Sequence, residues 1–182
     1  MKNNSPSINT IREMRKELKN NLVQHWLNDT FLHWQWWFLI IVLIVPCLIW
    51  WKLVDKKRLH IIFTFGLLIL IFNSFLDDIG TGSVWWFYPH KIIPTLNILK
   101  APDWALVPCG MMLVFQYSKT WKRFLILNFL LSLLFALIGE PLFISLGLYE
   151  LVSWNLIYSI LHYNIVGFLA RWIVLKIHKI ST

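Results

Sequence analysis

Residues 136–143 read ALIGEPLF and place a glutamate and a proline inside a run that is apolar enough to span a bilayer. An ionisable side chain in hydrocarbon is costly, so it usually faces a cavity or a polar partner. Proline within a helix removes a backbone hydrogen bond and bends the helix, which can open space beside it. We therefore predict a kinked membrane helix whose Glu140 faces the interior of the protein.

The composition of the whole chain agrees with a membrane location. Of the 182 residues 58% are hydrophobic and only 14% are charged, and the mean hydropathy is +0.60. A soluble domain of this size cannot hide so much apolar surface. The net charge of +8 comes from basic residues at the ends of apolar runs, where they set the orientation of a membrane protein. We therefore expect membrane lipid, and no nucleic acid, as a partner.

Five apolar runs predict an all-α fold, an integral membrane bundle of about five transmembrane helices. This domain covers residues 35–178, with spans at about 36–54, 59–76, 104–117, 124–149 and 152–175. Residues 79–103 contain helix-breaking Gly and Pro but are strongly apolar. They predict a loop or a half-inserted segment that packs at the membrane interface.

The N-terminal tail, residues 1–34, carries apolar residues at helical spacing among basic ones: Ile8, Ile11, Met14, Leu18 and Leu22. The pattern predicts an amphipathic helix, which either lies on the membrane surface or is solvated. The two cysteines, Cys47 and Cys109, are expected at different depths of the bundle and therefore as free thiols.

Lys and Arg are unevenly divided between the two ends of the predicted spans. Ten lie at one end, whereas only Lys91 and Lys100 lie in the loops at the other. The positive-inside rule then places the C-terminus in the cytoplasm and the N-terminus outside the cell membrane. The tail, with five basic and three acidic residues, favours the opposite orientation.

Three carboxylates from three different spans are predicted to meet near the outer surface. Asp77 lies 18 residues beyond Leu59, and Glu140 lies 16 residues beyond Phe124. These separations correspond to about 27 Å and about 24 Å of helix. Asp103 begins the third span at the same side. Carboxyl groups that share a poorly hydrated cleft suit proton donation or cation capture, so we predict Glu140, Asp103 and Asp77 as catalytic residues.

Other polar and aromatic residues border this zone and are predicted to bind the ligand: Asp78, Tyr88, His90, Tyr149, Trp154, Asn155 and the deeper His162. Aromatic faces could stabilise a cation there. The spacing matches no metal motif, and we expect no cofactor.

Structural interpretations of the same residues remain open. Asp77 and Asp78 could be a helix end that meets water, and Asp103 could cap the third span. Glu140 could be satisfied by His162 or Asn155, and His162 could be a hydrogen-bonded core residue.

Several short strings together resemble a family of small multi-pass membrane proteins of spore-forming bacilli and clostridia, whose members are described as uncharacterised. The strings are WWKLVDKKR (50–58), LDDIG (76–80), YPHKIIP (88–94), PD (102–103), QY (116–117) with TWK (120–122), and EPLF (140–143) with LGLY (146–149). The resemblance covers about residues 34–175. It implies an acid at Asp77, Asp103 and Glu140, and commonly an alanine where this chain has Gly139. It implies no activity, and the similarity in size to small membrane cyclases of isoprenoids is an analogy of fold alone.

The sequence therefore predicts an outward-facing acidic cleft that binds a lipid-like or amphipathic ligand, with or without acid–base chemistry on an isoprenoid. One alternative is a non-catalytic structural or assembly factor of the cell envelope. A second is a small proton-coupled transporter, and the protein could act as a homo-oligomer in either case. Polar residues become sparse toward the inner half of the bundle, which disfavours a transport pathway.

Overall fold

The computed structural model describes residues 6–96 and 101–181, the last of these by its backbone only. The described chain is almost entirely helical. Its elements are α1 (Ile8–Asp29), α2 (Trp34–Leu53), a 3₁₀ turn (Lys56–Arg58), α3 (Leu59–Gly82), β1 (Trp86–Phe87), a π-helical turn (Pro102–Leu106), α4 (Val107–Tyr117), α5 (Trp121–Leu134), a second π-helical turn (Phe135–Gly139), α6 (Glu140–Ser145), β2 (Glu150–Leu151) and α7 (Leu156–Ser181).

Four helical stretches are long and apolar enough to cross a membrane: Trp34–Leu53, Lys56–Gly82, Trp121–Ser145 and Leu156–Ile180. The chain is thus an all-α, multi-pass membrane protein. The predicted third span is not among these stretches, because its π-helical turn and α4 together cover only Pro102 to Tyr117.

The short helix 102–117 nevertheless connects both ends of the bundle. At one end Asp103 shares a cavity with Tyr88. At the other end Gln116 accepts a hydrogen bond from the Asp55 backbone N–H at 2.8 Å and donates one to the Leu53 carbonyl at 3.0 Å. The chain therefore passes through the bundle five times, and one pass is shorter than a free-standing membrane helix.

At the basic end of the bundle, arginine side chains form hydrogen bonds to groups at the ends of helices. Both terminal nitrogens of Arg171 donate to the Ser118 carbonyl at 3.1 Å, at the C-terminal end of α4. Arg58 donates to Asp55 at 2.8 Å, and this hydrogen bond lowers the pKa of the Asp55 carboxyl. These contacts satisfy carbonyl and carboxylate groups that a helix end otherwise leaves to water.

Two of the helix boundaries that differ from the prediction affect the acidic end of the bundle. α3 continues to Gly82 instead of ending near residue 76, so Asp77 is a buried helical residue and not a hydrated helix end. Gly80 does not break the helix and lies inside α3. The Trp86 ring packs directly against it, so a side chain at this position would collide with the ring. α7 starts at Leu156 instead of residue 152, because the preceding residues pair as β2 with β1, and Asn155 then binds the Ile157 N–H at 2.9 Å.

Each π-helical turn ends two residues before a proline, Pro108 in one case and Pro141 in the other. Proline has no N–H for the carbonyl four residues earlier, and a π-helical turn is one way in which a helix adjusts to an interruption of this kind. The predicted bend at Pro141 therefore takes the form of a π-helical turn that ends directly before Glu140.

The loop 83–96 folds over the acidic end of the bundle. β1 and β2 pair antiparallel, with Trp86 opposite Leu151. Trp86 and Tyr88 are buried in this layer with Leu39 of α2. α1 lies against the same loop, where the Trp26 indole donates to the Lys91 carbonyl at 2.9 Å. The loop 83–96, which is part of the segment predicted to pack at the membrane interface, thus forms a folded cap.

Cys47 and Cys109 are both free thiols, as predicted, but the expectation that they lie at different depths is wrong. Their sulfur atoms are 3.9 Å apart. Cys47 lies six residues before the end of α2 and Cys109 eight residues before the end of α4, so they reach similar heights.

Candidate functional site

A cavity lies at the acidic end of the bundle, between α3, helix 102–117, helix 121–145 and α7, under the loop 83–96. It has two adjoining lobes of about 80 Å³ and about 50 Å³, and both are partly open. Five residues line both lobes: Tyr88, Asp103, Glu140, Tyr149 and Tyr163. The larger lobe is otherwise walled by apolar groups, and we call it the apolar lobe. The smaller lobe adds Asn73, Asp77, Ser159 and His162, and we call it the polar lobe.

Asp77 is held by two donors from the cap. The Tyr88 hydroxyl donates to its Oδ1 at 2.6 Å, and the Trp86 indole donates to the same atom at 3.2 Å. Burial, and then the charge of Asp77, raise the pKa of the Tyr88 phenol well above its usual value. Tyr88 therefore keeps its proton at any physiological pH and remains a donor.

Asp103, at the start of helix 102–117, makes a side-chain hydrogen bond with Asp77 and also faces Glu140. Its Oδ2 atom is buried and has no hydrogen-bond partner within residues 6–96 and 101–181. The interpretation of Asp103 as a helix cap is not supported, because Ala101 is already helical and provides the position before the π-helical turn. A buried, unpartnered carboxylate oxygen that lines both lobes is available to a ligand.

Glu140 reaches the cavity from α6, directly after the second π-helical turn. Its Oε2 accepts a hydrogen bond from the Ser159 hydroxyl at 3.1 Å. Ser159 in turn accepts one from the Trp154 indole at 2.9 Å. The predicted partners His162 and Asn155 are therefore wrong. The late start of α7 places Ser159 in its first turns, at the level of Glu140.

His162 forms the floor of the polar lobe together with Asn73 of α3. The two side chains are joined by a 3.0 Å hydrogen bond between Nε2 and Oδ1. Asn73 lies one helical turn below Asp77, so one face of α3 presents both groups to the same lobe. His162 is thus hydrogen-bonded, as its structural interpretation required, and it also lines the cavity.

The roof of the cavity is aromatic. Tyr88 and Tyr149 stack with their ring centroids 5.5 Å apart. Gly147, with a left-handed φ of +69°, turns the chain after α6 so that Tyr149 points back over the site. Burial, and then the charge of Glu140, raise the pKa of Tyr149.

Seven of the ten predicted site residues line the cavity: Asp77, Tyr88, Asp103, Glu140, Tyr149, Trp154 and His162. The other three do not. Asp78 is exposed, because the residue next to Asp77 on a helix points about 100° away. His90 binds Thr30 at 2.8 Å on the α1 side of the loop, and Asn155 caps α7.

Four cavity residues with polar side-chain groups were not assigned to the site from the sequence: Asn73, Trp86, Ser159 and Tyr163. Helical spacing could have found Asn73, which is four residues before Asp77, and Ser159 and Tyr163, which are also four apart. Trp86 carries no such signal, because its position depends on the fold of the cap.

Within the part of the chain that the structure describes, no group of three His, Cys, Asp or Glu side chains is arranged to hold a metal ion. Comparisons with protein-family models, curated proteins and solved structures find no match for this chain. The resemblance to the family of spore-forming bacteria therefore stays a prediction.

Proposed function

We propose that this protein resides in the cell membrane and binds a membrane amphiphile in the two-lobed cavity. The polar headgroup lies in the polar lobe against Asp103 and Glu140. The hydrophobic part of the ligand lies in the apolar lobe. Ligand sites are typically concave, mostly apolar pockets in which a few polar groups converge, and the two lobes together have this character.

One observation carries the proposal. Asp103 lines both lobes, and its buried Oδ2 has no partner among the described residues. A buried carboxylate oxygen without a partner costs free energy, which a bound donor would recover. The most favourable place for a headgroup donor is therefore the junction of the polar and apolar lobes.

The orientation follows from the charges at the two ends. The basic end, with its ten Lys and Arg residues, faces the cytoplasm and contains the C-terminus. The cavity and its cap then face outward, and the ligand comes from the outer leaflet.

Acid–base chemistry on an unsaturated lipid is a second function that a specific observation favours. Asp103 faces two other carboxyl groups, and repulsion among them favours a proton on one member. Such an acid can protonate a carbon–carbon double bond of an isoprenoid. The resulting cation closes a ring, and a neighbouring carboxylate removes a proton, so that the product is an isomer of the substrate. The faces of Trp86, Trp154 and Tyr149 would stabilise the cation.

The two alternatives from the sequence have less support. A transport pathway needs a polar route inward from the cavity. Below the polar lobe, however, Asn164 binds Ser132 and Asn128 binds Asn164, so these side chains are hydrogen-bonded to one another. Farther in, Phe65, Phe115 and Phe124 pack against one another and fill the interior. A purely structural role gives no reason for the two lobes or for the Asp103 Oδ2 atom, which has no partner among the described residues.

The test compares the thermal stability of purified wild type, Glu140→Gln and Glu150→Gln in neutral detergent, with and without a lipid extract of the source membrane. Glu150 is an exposed acid at the same end and serves as the matched control. We expect the extract to raise the Tm of wild type and Glu150→Gln but not that of Glu140→Gln. Equal stabilisation of all three proteins would reject the cavity as the binding site. A Glu140→Gln protein that melts early, together with a wild type that ignores lipid, would favour the structural role.

A further inference from the structure

The charge and shape of the cavity narrow the class of its ligand. We infer that the ligand is a single-chain amphiphile with a cationic headgroup, whose chain lies in the apolar lobe between the two π-helical turns. This inference rests on the proposed function, since it identifies which amphiphile the same cavity takes.

The polar lobe presents negative or electron-rich groups to a headgroup. Three carboxyl groups and three phenols line the cavity, and no Lys or Arg is found among the described residues that line it. The carboxyl groups of Asp103 and Glu140 are therefore not paired with a lining lysine or arginine within the described ranges. A phosphate would be repelled here, whereas an ammonium group would interact favourably.

Aromatic rings add a second feature that suits a cation. Trp154 meets Trp86 edge to face at 4.8 Å between ring centroids, and both rings line the polar lobe. Tyr149 completes this wall beside Glu140. Indole and phenol faces next to carboxylates are the usual setting in which proteins recognise ammonium groups.

The apolar lobe is a narrow recess between helix 102–117 and helix 121–145. Its walls are Pro102, Leu106 and Val107 on one side and Phe135, Gly139 and Phe143 on the other. The two helices touch below the lobe, where Gly110 lies against Phe135. The outer face of helix 121–145 is exposed and apolar at Ile138 and Leu142, as expected at hydrocarbon depth. The lobe encloses only about 80 Å³ and is partly open, so we expect it to hold part of one chain and not two chains.

Gly139 allows the lobe to be filled without disturbing the fold. A Cβ atom at this position would meet only the Leu134 carbonyl oxygen, at 3.8 Å. Gly139→Leu therefore projects a side chain into free space in the lobe. Gly82 provides the matched control, because a Cβ there meets nothing within 4 Å and Gly82 lines neither lobe.

The experiment measures the binding of two probes with the same chain and opposite charge, dodecyltrimethylammonium and dodecyl phosphate. Titration calorimetry on the full-length protein in neutral detergent gives the Kd. For wild type and Gly82→Leu we expect the ammonium probe to bind at least tenfold more tightly than the phosphate probe. For Gly139→Leu we expect at least a tenfold weaker affinity for the ammonium probe, and for Gly139→Ala a smaller loss.

The outcomes separate this inference from the proposal on which it rests. If both probes bind wild type equally, or the phosphate probe binds more tightly, the cationic headgroup is rejected while the amphiphile site stands. If Gly139→Leu binds like wild type, the apolar lobe is not the chain site. If neither probe binds and the lipid extract also fails to stabilise wild type, the proposed function itself is wrong. If Gly139→Leu folds poorly, the affinity of Gly139→Ala for the ammonium probe still tests whether the apolar lobe is the chain site.

Discussion

At the scale of single residues, Tyr88 connects the cap to the acidic cluster. Tyr88 is buried, and its hydroxyl donates to Asp77 Oδ1 at 2.6 Å, the shorter of the two described hydrogen bonds to that atom. Tyr88→Phe removes this donor and leaves the ring in place. We expect the free energy of unfolding to fall by about 1–3 kcal/mol, because a buried acceptor loses its partner. Thermal or denaturant unfolding in detergent measures the change.

Tyr158→Phe is the control for that prediction. Tyr158 is an exposed residue near the start of α7, and its ring contact with Trp154 survives the substitution. It should cost less than about 0.5 kcal/mol, as is usual for exposed sites. A Tyr88→Phe protein as stable as Tyr158→Phe would show that the cap does not depend on this hydrogen bond.

Asn128 and Gly167 form a second residue-scale contact, at the α5–α7 interface below the cavity. A Cβ atom on Gly167 would lie 2.6 Å from Asn128 Oδ1. Gly167→Ala should therefore destabilise the protein by about 1–3 kcal/mol, the usual cost of overpacking. In the double variant Asn128→Ala/Gly167→Ala this clash is gone, so the two losses should not add. Strict additivity in thermal unfolding would contradict the contact.

The sequence predicts the residues of the site better than their partners. Because an α-helix has a fixed rise per residue, counting residues along each predicted span is enough to place Asp77, Asp103 and Glu140 at a similar depth. The partner of Glu140 depends instead on where α7 starts. A start at residue 156 instead of 152 changes which face of the helix reaches Glu140, and Ser159 takes the place expected for His162 or Asn155. Boundaries of this kind are set by tertiary contacts, here the pairing of β1 with β2.

At the scale of elements, the docking of α1 on the loop 83–96 should depend on pH. His90 binds Thr30 and stacks on His25, with ring centroids 5.6 Å apart. Burial, and then the nearby His25, lower the pKa of His90 below its ordinary value of 6.5, while Asp29 opposes the shift and His33 adds to it. Undocked His90 therefore gains a proton before docked His90 does. Docking is unaffected above about pH 6.5 and weakens as the pH falls below it.

Hydrogen exchange tests this dependence. After correction for intrinsic rates, the C-terminal turns of α1 should lose protection between pH 7.5 and pH 5.5, while the core of α3 should not. His90→Gln removes the titrating group and keeps a side chain that can bind Thr30. This variant should show less loss of protection than wild type. An equal loss in both proteins would assign the effect to other groups.

The π-helical turns show what a sequence reveals about an element. Pro141 predicts a distortion because it has no N–H, and the distortion is present. The sequence does not say whether the helix kinks or takes up a π-helical turn, since both accommodate the missing hydrogen bond. The difference matters for function, because the π-helical turn ends at Gly139 and so sets the direction in which Glu140 points.

At the scale of the whole molecule, hydropathy and charge predict the all-α membrane bundle but not its cap. The four long apolar stretches dominate any reading of the sequence because a bilayer requires about 20 apolar residues for a span. Helix 102–117 is shorter than this requirement, since it packs within the bundle and need not face lipid along its whole length. The loop 83–96 follows no period, and its fold depends on contacts of Trp86 and Tyr88 with residues from distant parts of the chain.

The orientation of the molecule gives the last prediction, because five passes place the cap and the C-terminus on opposite sides of the membrane. Ser153 lies exposed at the acidic end and Lys119 lies exposed at the basic end. In a background with Cys47 and Cys109 replaced by alanine, we introduce Ser153→Cys or Lys119→Cys and treat intact cells with a membrane-impermeant maleimide. The greater number of basic residues at the inner end predicts labelling of Ser153→Cys in intact cells and of Lys119→Cys only after lysis. The opposite result would invert the protein and place the acidic cavity at the cytoplasmic leaflet. Labelling of both positions in intact cells would mean that helix 121–145, which joins them, does not carry the chain from one side to the other.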